Sequence, residues 1–380
     1  MRLKKAVILC TALILTLCFT FSAFGEEQQT EYGQYPLELP SLKDAYAGHF
    51  LFGTAVGSME LKSPKRMAFY ANQFNIMTAG NEMKPDALFD KFNTLKAYKE
   101  TGDETVIKIR LVSAKPLLDF CWQNSIPVHG HTLLWHNQTP EELFHMGYDV
   151  SQPLASREIM LARMENYIRE VMEMTERLYP GLIISWDVVN EAIDDSTGKL
   201  RTNVNWYKTV GPDYVSKAFE FARKYAREGV LLCYNDYNTT NSPKQSGIMN
   251  LLAELAAEGN IDCYGFQSHY SMNTASAKAV EKAFDKVIAM GLKIRVSELD
   301  ITINGKTDAN LRMQANRYRD LMELYIRYDE HIVAVHTWGG TDDTSWRTAQ
   351  YPLLFGAFGQ PKPAYWAVLE QAQAEETTAE

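Results

Sequence analysis

Cysteine is scarce in this 380-residue chain: there are five, and two of them, Cys10 and Cys18, sit in one N-terminal apolar run. The others, Cys121, Cys233 and Cys263, form no C-x-x-C pair, which excludes the common redox and zinc signatures. Three cysteines allow at most one internal disulfide. Each lies in an apolar context, so three buried thiols are expected. Positive charge is not in excess. The 38 Lys and Arg face 47 Asp and Glu, a net charge of −9, and no Lys/Arg run occurs, which excludes a basic nucleic-acid footprint. There is no G-x-G-x-x-G and no phosphate-loop lysine; the first turn reads G-T-A-V-G-S at 53–58. No short-period repeat or low-complexity block is visible. With 46% hydrophobic and 22% charged residues, a disordered chain, a collagen-like repeat and a polytopic membrane protein are all excluded.

Long apolar runs are nearly absent as well. One run from Ala6 to Phe21 follows Arg2, Lys4 and Lys5 and is short for a membrane span of about 20 residues. Small residues at Ser22, Ala23 and Gly25 then precede Glu26 and Glu27. This pattern predicts a secretory signal peptide over 1–25, with an uncleaved anchor as the alternative. Cleavage after Gly25 removes three basic residues and no acidic one, taking the charge from −9 to −12. A secreted chain is expected, with no membrane contact once the signal is gone. A polar leader is predicted over 26–45, one domain over 46–373, and an acidic tail over 374–380.

What the chain does have is alternation. Short apolar strand-like runs occur at 49–56, 74–80, 126–135, 182–190, 230–237, 263–269, 293–300 and 332–338. Helical spacing of apolar residues lies between them at 158–178, 213–228, 244–257, 276–290 and 309–328. Eight strands alternating with helices predict a parallel (β/α)8 TIM barrel as a single catalytic domain, with an open doubly wound sheet as the alternative. A barrel puts its functional groups at the C-terminal ends of its strands. Polar residues cluster at those ends: Asn81, His131, Asn190, Glu191, Asn235, Gln267, His269, Glu298 and Trp338. Aromatics reach 12%, with seven Trp and 20 Tyr, whose flat faces suit sugar stacking.

Two carboxylates stand out. Glu191 ends the run I-I-S-W-D-V-V-N-E, and Glu298 ends K-I-R-V-S-E. They close the fourth and seventh predicted strands, so a barrel lets them converge. Facing carboxylates suit glycosidic bond cleavage: a protonated one serves the leaving oxygen and an ionised one attacks the anomeric carbon. A separation of about 5–5.5 Å favours the retaining, double-displacement route. Asp187 and Asp300 lie nearby and are read as supporting groups, although alternation puts Asp300 on the face of Glu298.

W-D-V-V-N-E-A at 186–192 and V-S-E-L-D-I at 296–301 resemble glycoside hydrolase family 10, the endo-β-1,4-xylanases. So do G-N-E-M-K at 80–84, H-G-H-T-L-L-W-H at 129–136, Y-N-D-Y-N at 234–238 and Q-S-H at 267–269. T-W-G-G-T-D-D-T-S-W-R at 337–347 and P-L-L-F at 352–355 complete the set. The resemblance implies Glu191 as acid/base and Glu298 as nucleophile. It implies that Asn190 bonds the 2-hydroxyl of the sugar under attack. His269 would orient the nucleophile and help keep it ionised, with Gln267 close to the same sugar. Asn81, Lys84, His131 and Trp135 would line the non-reducing side. Trp338 and Trp346 would bound the pocket of the cleaved sugar, and Tyr237 would stack on the leaving-group side. The implied substrates are xylan and xylo-oligosaccharides, with no cofactor and no metal, acted on by a monomer.

Three departures from that pattern stand out. Gly80 occupies a position where the family often has Glu, and His129 one where it often has Arg. The stretch from Lys91 to Arg110 looks like an insertion and is expected to reshape the cleft edge. Three rival readings remain: a metal-dependent hydrolase built on His129 and His131, a non-catalytic sugar-binding barrel, and a related barrel glycanase acting on cellulose or mannan.

Overall fold

The computed structural model describes residues 39–376 except 358. The predicted signal peptide, the leader up to residue 38 and the last four residues of the tail lie outside the described residues.

Among the described residues nine strands form in chain order: β1 (Leu51–Val56), β2 (Ile76–Ala79), β3 (Val128–Trp135), β4 (Ile183–Asn190), β5 (Leu231–Asp236), β6 (Cys263–Phe266), β7 (His269–Ser271), β8 (Lys293–Thr302) and β9 (Ile332–Thr337). All pairings between them are parallel. β1 lies between β2 and β9, and β6 pairs with β8, so the sheet closes into the expected (β/α)8 barrel. The predicted sixth strand is divided. Ser268 takes a positive φ of 60°, and the turned chain runs on as β7, pairing His269 with Asp300 at the far end of β8.

Parallel strands covered by helices are buried on both faces, so their sequences read as near-continuous apolar runs. In β8 every residue after Lys293 is buried. The helices follow their local signals. Arg157–Leu178 starts at Ser156, whose hydroxyl accepts from the Ile159 amide. It then buries Met160, Met164, Tyr167, Ile168 and Val171 on one face. Each such side chain contributes about 1.5–3 kcal/mol on burial. Ala277–Ile288 starts at Ser276, and Asp308–Arg327 at Thr307, in the same way. Residues 40–46 already pack on the barrel: Tyr365 donates to the Pro40 carbonyl at 2.5 Å and Tyr46 to that of Val368 at 2.6 Å.

One glycine shows how tight the interior is. A Cβ on Gly130 of β3 would sit 2.1 Å from the Trp186 indole on β4, so only glycine leaves room for that ring.

The cysteine expectation needs correction. Cys233 and Cys263 form a disulfide. They are direct register partners on β5 and β6, with Cα atoms 4.6 Å apart. Each sits in an apolar strand, as expected, but which strands are neighbours is a property of the closed barrel. Cys121 is a free, buried thiol.

Candidate active site

At the C-terminal ends of the strands a cleft of about 720 Å³ opens, and all twelve sequence-predicted site residues line it. Asn81 and Lys84 follow β2, His131 and Trp135 lie in β3, and Asn190 ends β4 with Glu191 next to it. Tyr237 follows β5, Gln267 and His269 flank the turn into β7, Glu298 lies in β8, and Trp338 and Trp346 follow β9.

Glu191 takes a left-handed φ of 57°, a conformation that costs a non-glycine residue about 1–2 kcal/mol. Two contacts hold it there. Its amide donates to the Asn235 carbonyl at 2.9 Å, and Arg201 Nε donates to its own carbonyl at 3.0 Å. Its carboxylate accepts from Trp135 Nε1 at 3.0 Å and Gln267 Nε2 at 2.9 Å. Both donors are neutral.

Glu298 has different company. Asn235 donates to its Oε1 at 2.7 Å, and His269 Nε2 lies 3.0 Å from its Oε2. The other nitrogen of His269 meets Asp300 at 2.9 Å. Burial alone would lower the His269 pKa, but the charge of and bond to Asp300, then Glu298, raise it to about 9. His269 is thus an imidazolium between two carboxylates. Burial pushes the Glu298 carboxyl up; the His269 bond, the field of His131 and the Asn235 amide outweigh it and hold it below the usual range. Asp300 is also bonded by Trp346 Nε1 at 3.0 Å and Arg347 Nη1 at 3.0 Å. It therefore braces His269 and the exposed Trp346, which agrees with reading it as a supporting group.

The Asn190 amide lies 3.0 Å from that of Asn235 and 3.2 Å from that of Gln267. A chain of amides therefore runs from Glu191 to Glu298. Gly265 makes it possible, since a Cβ there would sit 2.3 Å from Asn235 Oδ1.

At the β2 and β3 side, Lys84 donates to Asn81 at 3.1 Å and Gln138 at 3.0 Å and lies 4.8 Å from the centre of a Trp135 ring. Burial lowers the Lys84 pKa against the fields of Glu298 and Glu191. At the β5 side, the Tyr237 hydroxyl donates to Asp195 at 2.5 Å and accepts from Arg201 at 3.1 Å. Lys244 covers one face of its ring at 3.3 Å.

His131 uses Nδ1 on Asp187 Oδ2 at 2.8 Å, and His129 reaches the same oxygen at 2.9 Å. One buried carboxylate thus bonds His131 and lies against His129, which makes the two imidazoles a structural pair around Asp187. Among the described residues no group of three or more His, Cys, Asp or Glu is arranged to hold a metal ion.

The His129 departure has an account in the tertiary structure. Arg295, fully buried on β8, donates to Ser185 Oγ at 3.0 Å, and His129 Nδ1 lies 2.8 Å from the same oxygen. Burial lowers Arg295 to about 10 and the Asp187 charge opposes it. Burial and the Arg295 charge press His129 down to about 4. The buried cation therefore comes from β8, and the β3 position carries a neutral imidazole.

Gly80 lines the cleft, and a Cβ there would find only the Val56 carbonyl, 3.9 Å away. The 91–110 stretch does not reshape the cleft edge: none of its residues lines the cleft. It forms the helix Lys91–Thr101 and then returns to pair Ile109 with Phe89.

Five polar cleft residues were missing from the sequence-predicted site: Glu60, Gln138, Asn238, Thr344 and Arg347. Asn238, Thr344 and Arg347 stood inside motif blocks and so carried a signal, as did Asn235, a strand-end residue that bonds Glu298 without lining the cleft. Glu60, which opens a short 3-10 helix, and Gln138 lie where no periodicity marks them. Glu60 accepts from the Gly57 amide at 3.0 Å, Thr344 at 2.8 Å and Tyr70.

The family model for glycosyl hydrolase family 10 matches residues 41–371. The chain belongs to that family. Endo-1,4-beta-xylanase B of Butyrivibrio fibrisolvens is 36% identical to this family 10 chain over 89% of it and 54% of the relative. Endo-1,4-beta-xylanase A of Thermotoga maritima is 36% identical over 87% of the chain and 31% of the relative. The chain thus spans about half of the one and a third of the other. Among solved structures, a mutant of the intracellular xylanase TsXylA from Thermoanaerobacterium saccharolyticum, in complex with xylotriose, superposes with a TM-score of 0.79. It is 34% identical, with 87% of this chain and 98% of that one covered.

Proposed function

We propose that this family 10 chain is an endo-1,4-β-xylanase that cuts internal bonds of xylan and xylo-oligosaccharides with retention. The observation that carries the reading is the unequal setting of two glutamates joined by one amide chain. Glu298, beside an imidazolium and an amide, is held as an anion below the usual carboxylate range. It is the nucleophile. Glu191 meets only the neutral indole of Trp135 and amide of Gln267. It is the acid/base, giving a proton to the leaving oxygen and then taking one from water.

Asn190, between the two, bonds the 2-hydroxyl of the sugar under attack, with Gln267 beside it. That bond strengthens as positive charge develops at the anomeric carbon. His269 is a positioning residue for Glu298. Asn81, Lys84, His131 and Trp135 receive the non-reducing side. Trp338 and Trp346 wall the cleaved sugar and disfavour the extra hydroxymethyl of a hexose. The free face of Tyr237 stacks the leaving group. The N-terminal segment directs secretion, and the mature chain works as a monomer.

The test is product analysis on unbranched xylan beside soluble cellulose and mannan, with wild type and Glu298→Ala. Short xylo-oligosaccharides from wild type alone are expected. Products only from a hexose polymer would overturn the substrate. N-terminal sequencing of the exported chain should begin at Glu26, and a chain still carrying Met1 in the cell would overturn secretion.

A further inference from the structure

Trp346 separates two spaces. One is the cleft. The other is a second cavity of about 570 Å³, within the range of about 300–1,000 Å³ common for small-ligand pockets. His269, Trp346 and Arg347 line both. Beyond them, the walls of the second cavity include the hydroxyls of Ser271, Thr274 and Thr302 and the amide of Gln350.

Its charge is unusual for this molecule. The chain carries a net charge of −9, and the cleft is lined by Glu60, Glu191 and Glu298. No Asp or Glu lines the second cavity. Arg347 supplies a cation there. Its Nη1 is held by Asp300 and its guanidinium lies 4.3 Å from the centre of a Trp346 ring. Nε and Nη2 make no hydrogen bond among the described residues. A second guanidinium, Arg317, lies 5.8 Å from the Tyr270 ring and donates to the Thr274 carbonyl at 3.4 Å. Trp346 is 62% exposed even with Arg347 and His269 beside its rings, so much of a large apolar surface is left to water.

We propose that this cavity is a side pocket for a uronic acid branch on the glycan seated in the cleft. The branch carboxylate meets the free edge of Arg347, and its ring lies against Trp346 among the hydroxyls. A guanidinium matches a carboxylate in shape and charge, and an indole offers the flat apolar face that a sugar ring covers. The inference rests on the xylanase reading of the cleft. It adds a preference: acidic branches are recognised here rather than merely tolerated.

The experiment compares kcat/KM on uronic acid-branched xylan, on the same xylan with its carboxyls reduced, and on unbranched xylan. Wild type is set beside the double variant Thr348→Glu/Gln350→Glu. Both positions line the cavity and are exposed, and neither belongs to the catalytic or binding set. The variant should lose about fivefold on the acid-branched polymer and change little on the other two. The control Thr348→Gln should match wild type on all three. Raising the salt should shrink the wild-type advantage of the branched over the reduced polymer. An unchanged ratio, or an equal loss on all three substrates, overturns the pocket while the xylanase reading stands. A wild type inactive on every xylan overturns the xylanase reading and the pocket with it.

Discussion

Replacing Arg295 by Met should destabilise the barrel severely, and most of the loss should return when the cation is put back on β3. The buried set is Arg295, Asp187, His129 and His336, none more than 2% exposed. Near neutral pH, His129 is neutral, with its pKa near 4, and burial beside Arg295 presses His336 well below its ordinary value. Arg295 is then the cation of this set, and its field opposes that of Asp187, which His131 bonds directly at 2.8 Å. Deleting the guanidinium removes a positive field from Asp187 and strips donors from Ser185 and His336. Arg295 and Asp187 share no direct ion pair, so the cost is chiefly that of buried acceptors left without their charged donor, about 3–5 kcal/mol together. With an unfolding entropy of about 2 cal/mol/K per residue, a chain of this size should lose roughly 4–7 °C in Tm. Urea unfolding followed by tryptophan fluorescence measures the cost. The double variant His129→Arg/Arg295→His returns one cation to the same serine and should recover at least half of it. Because His131 hangs on Asp187, KM for xylo-oligosaccharides should rise in Arg295→Met and fall back in the double variant. A cost below about 1 kcal/mol, or a double variant no better than the sum of its singles, would refute this account of the His129 departure.

Glu298→Ala should lower turnover on the order of 10⁴-fold or more, and added azide should yield an inverted glycosyl azide; a retained azide product would move the nucleophile elsewhere. Glu191→Ala should spare the first step for aryl xylosides with good leaving groups, which need no proton, and equal loss on all substrates would contradict that role. His269 has its pKa raised from 6.5 to about 9 in the folded state. Its contribution to stability is therefore complete below about pH 6.5 and lost as the pH rises through about 9. His269→Gln should flatten the fall in urea midpoint between pH 6.5 and 9.5, and an unaltered slope would place the charge on another group. Gly80→Glu enters open space beside Asn81 and should lower KM for short xylo-oligosaccharides roughly tenfold through one charged hydrogen bond; an unchanged KM with an intact fold would sink that idea.

Much of this protein was legible along the chain. The eight strand-like runs all became strands, because alternation and apolar continuity are local properties. The cleft residues were legible for a related reason. In a parallel barrel the ends of successive strands meet at one rim, so polar groups closing apolar runs converge wherever each strand sits. The division of 263–269 was not legible, since a positive φ at Ser268 follows from the tertiary packing and has no glycine to mark it.

What the residues determined by themselves was the barrel, its working face and the two glutamates on its fourth and seventh strands, although Glu298 lies within its strand, which runs on to Thr302, rather than at its end. What only the tertiary structure decided were relations across strands: Cys233 beside Cys263, Arg295 reaching the serine of His129, and Asn235 bridging to Glu298. Those pairs are separated by 30, 110 and 63 residues. No local pattern sets which side chain will face which across a barrel. Closure and register do that, and they exist only once every strand is in place.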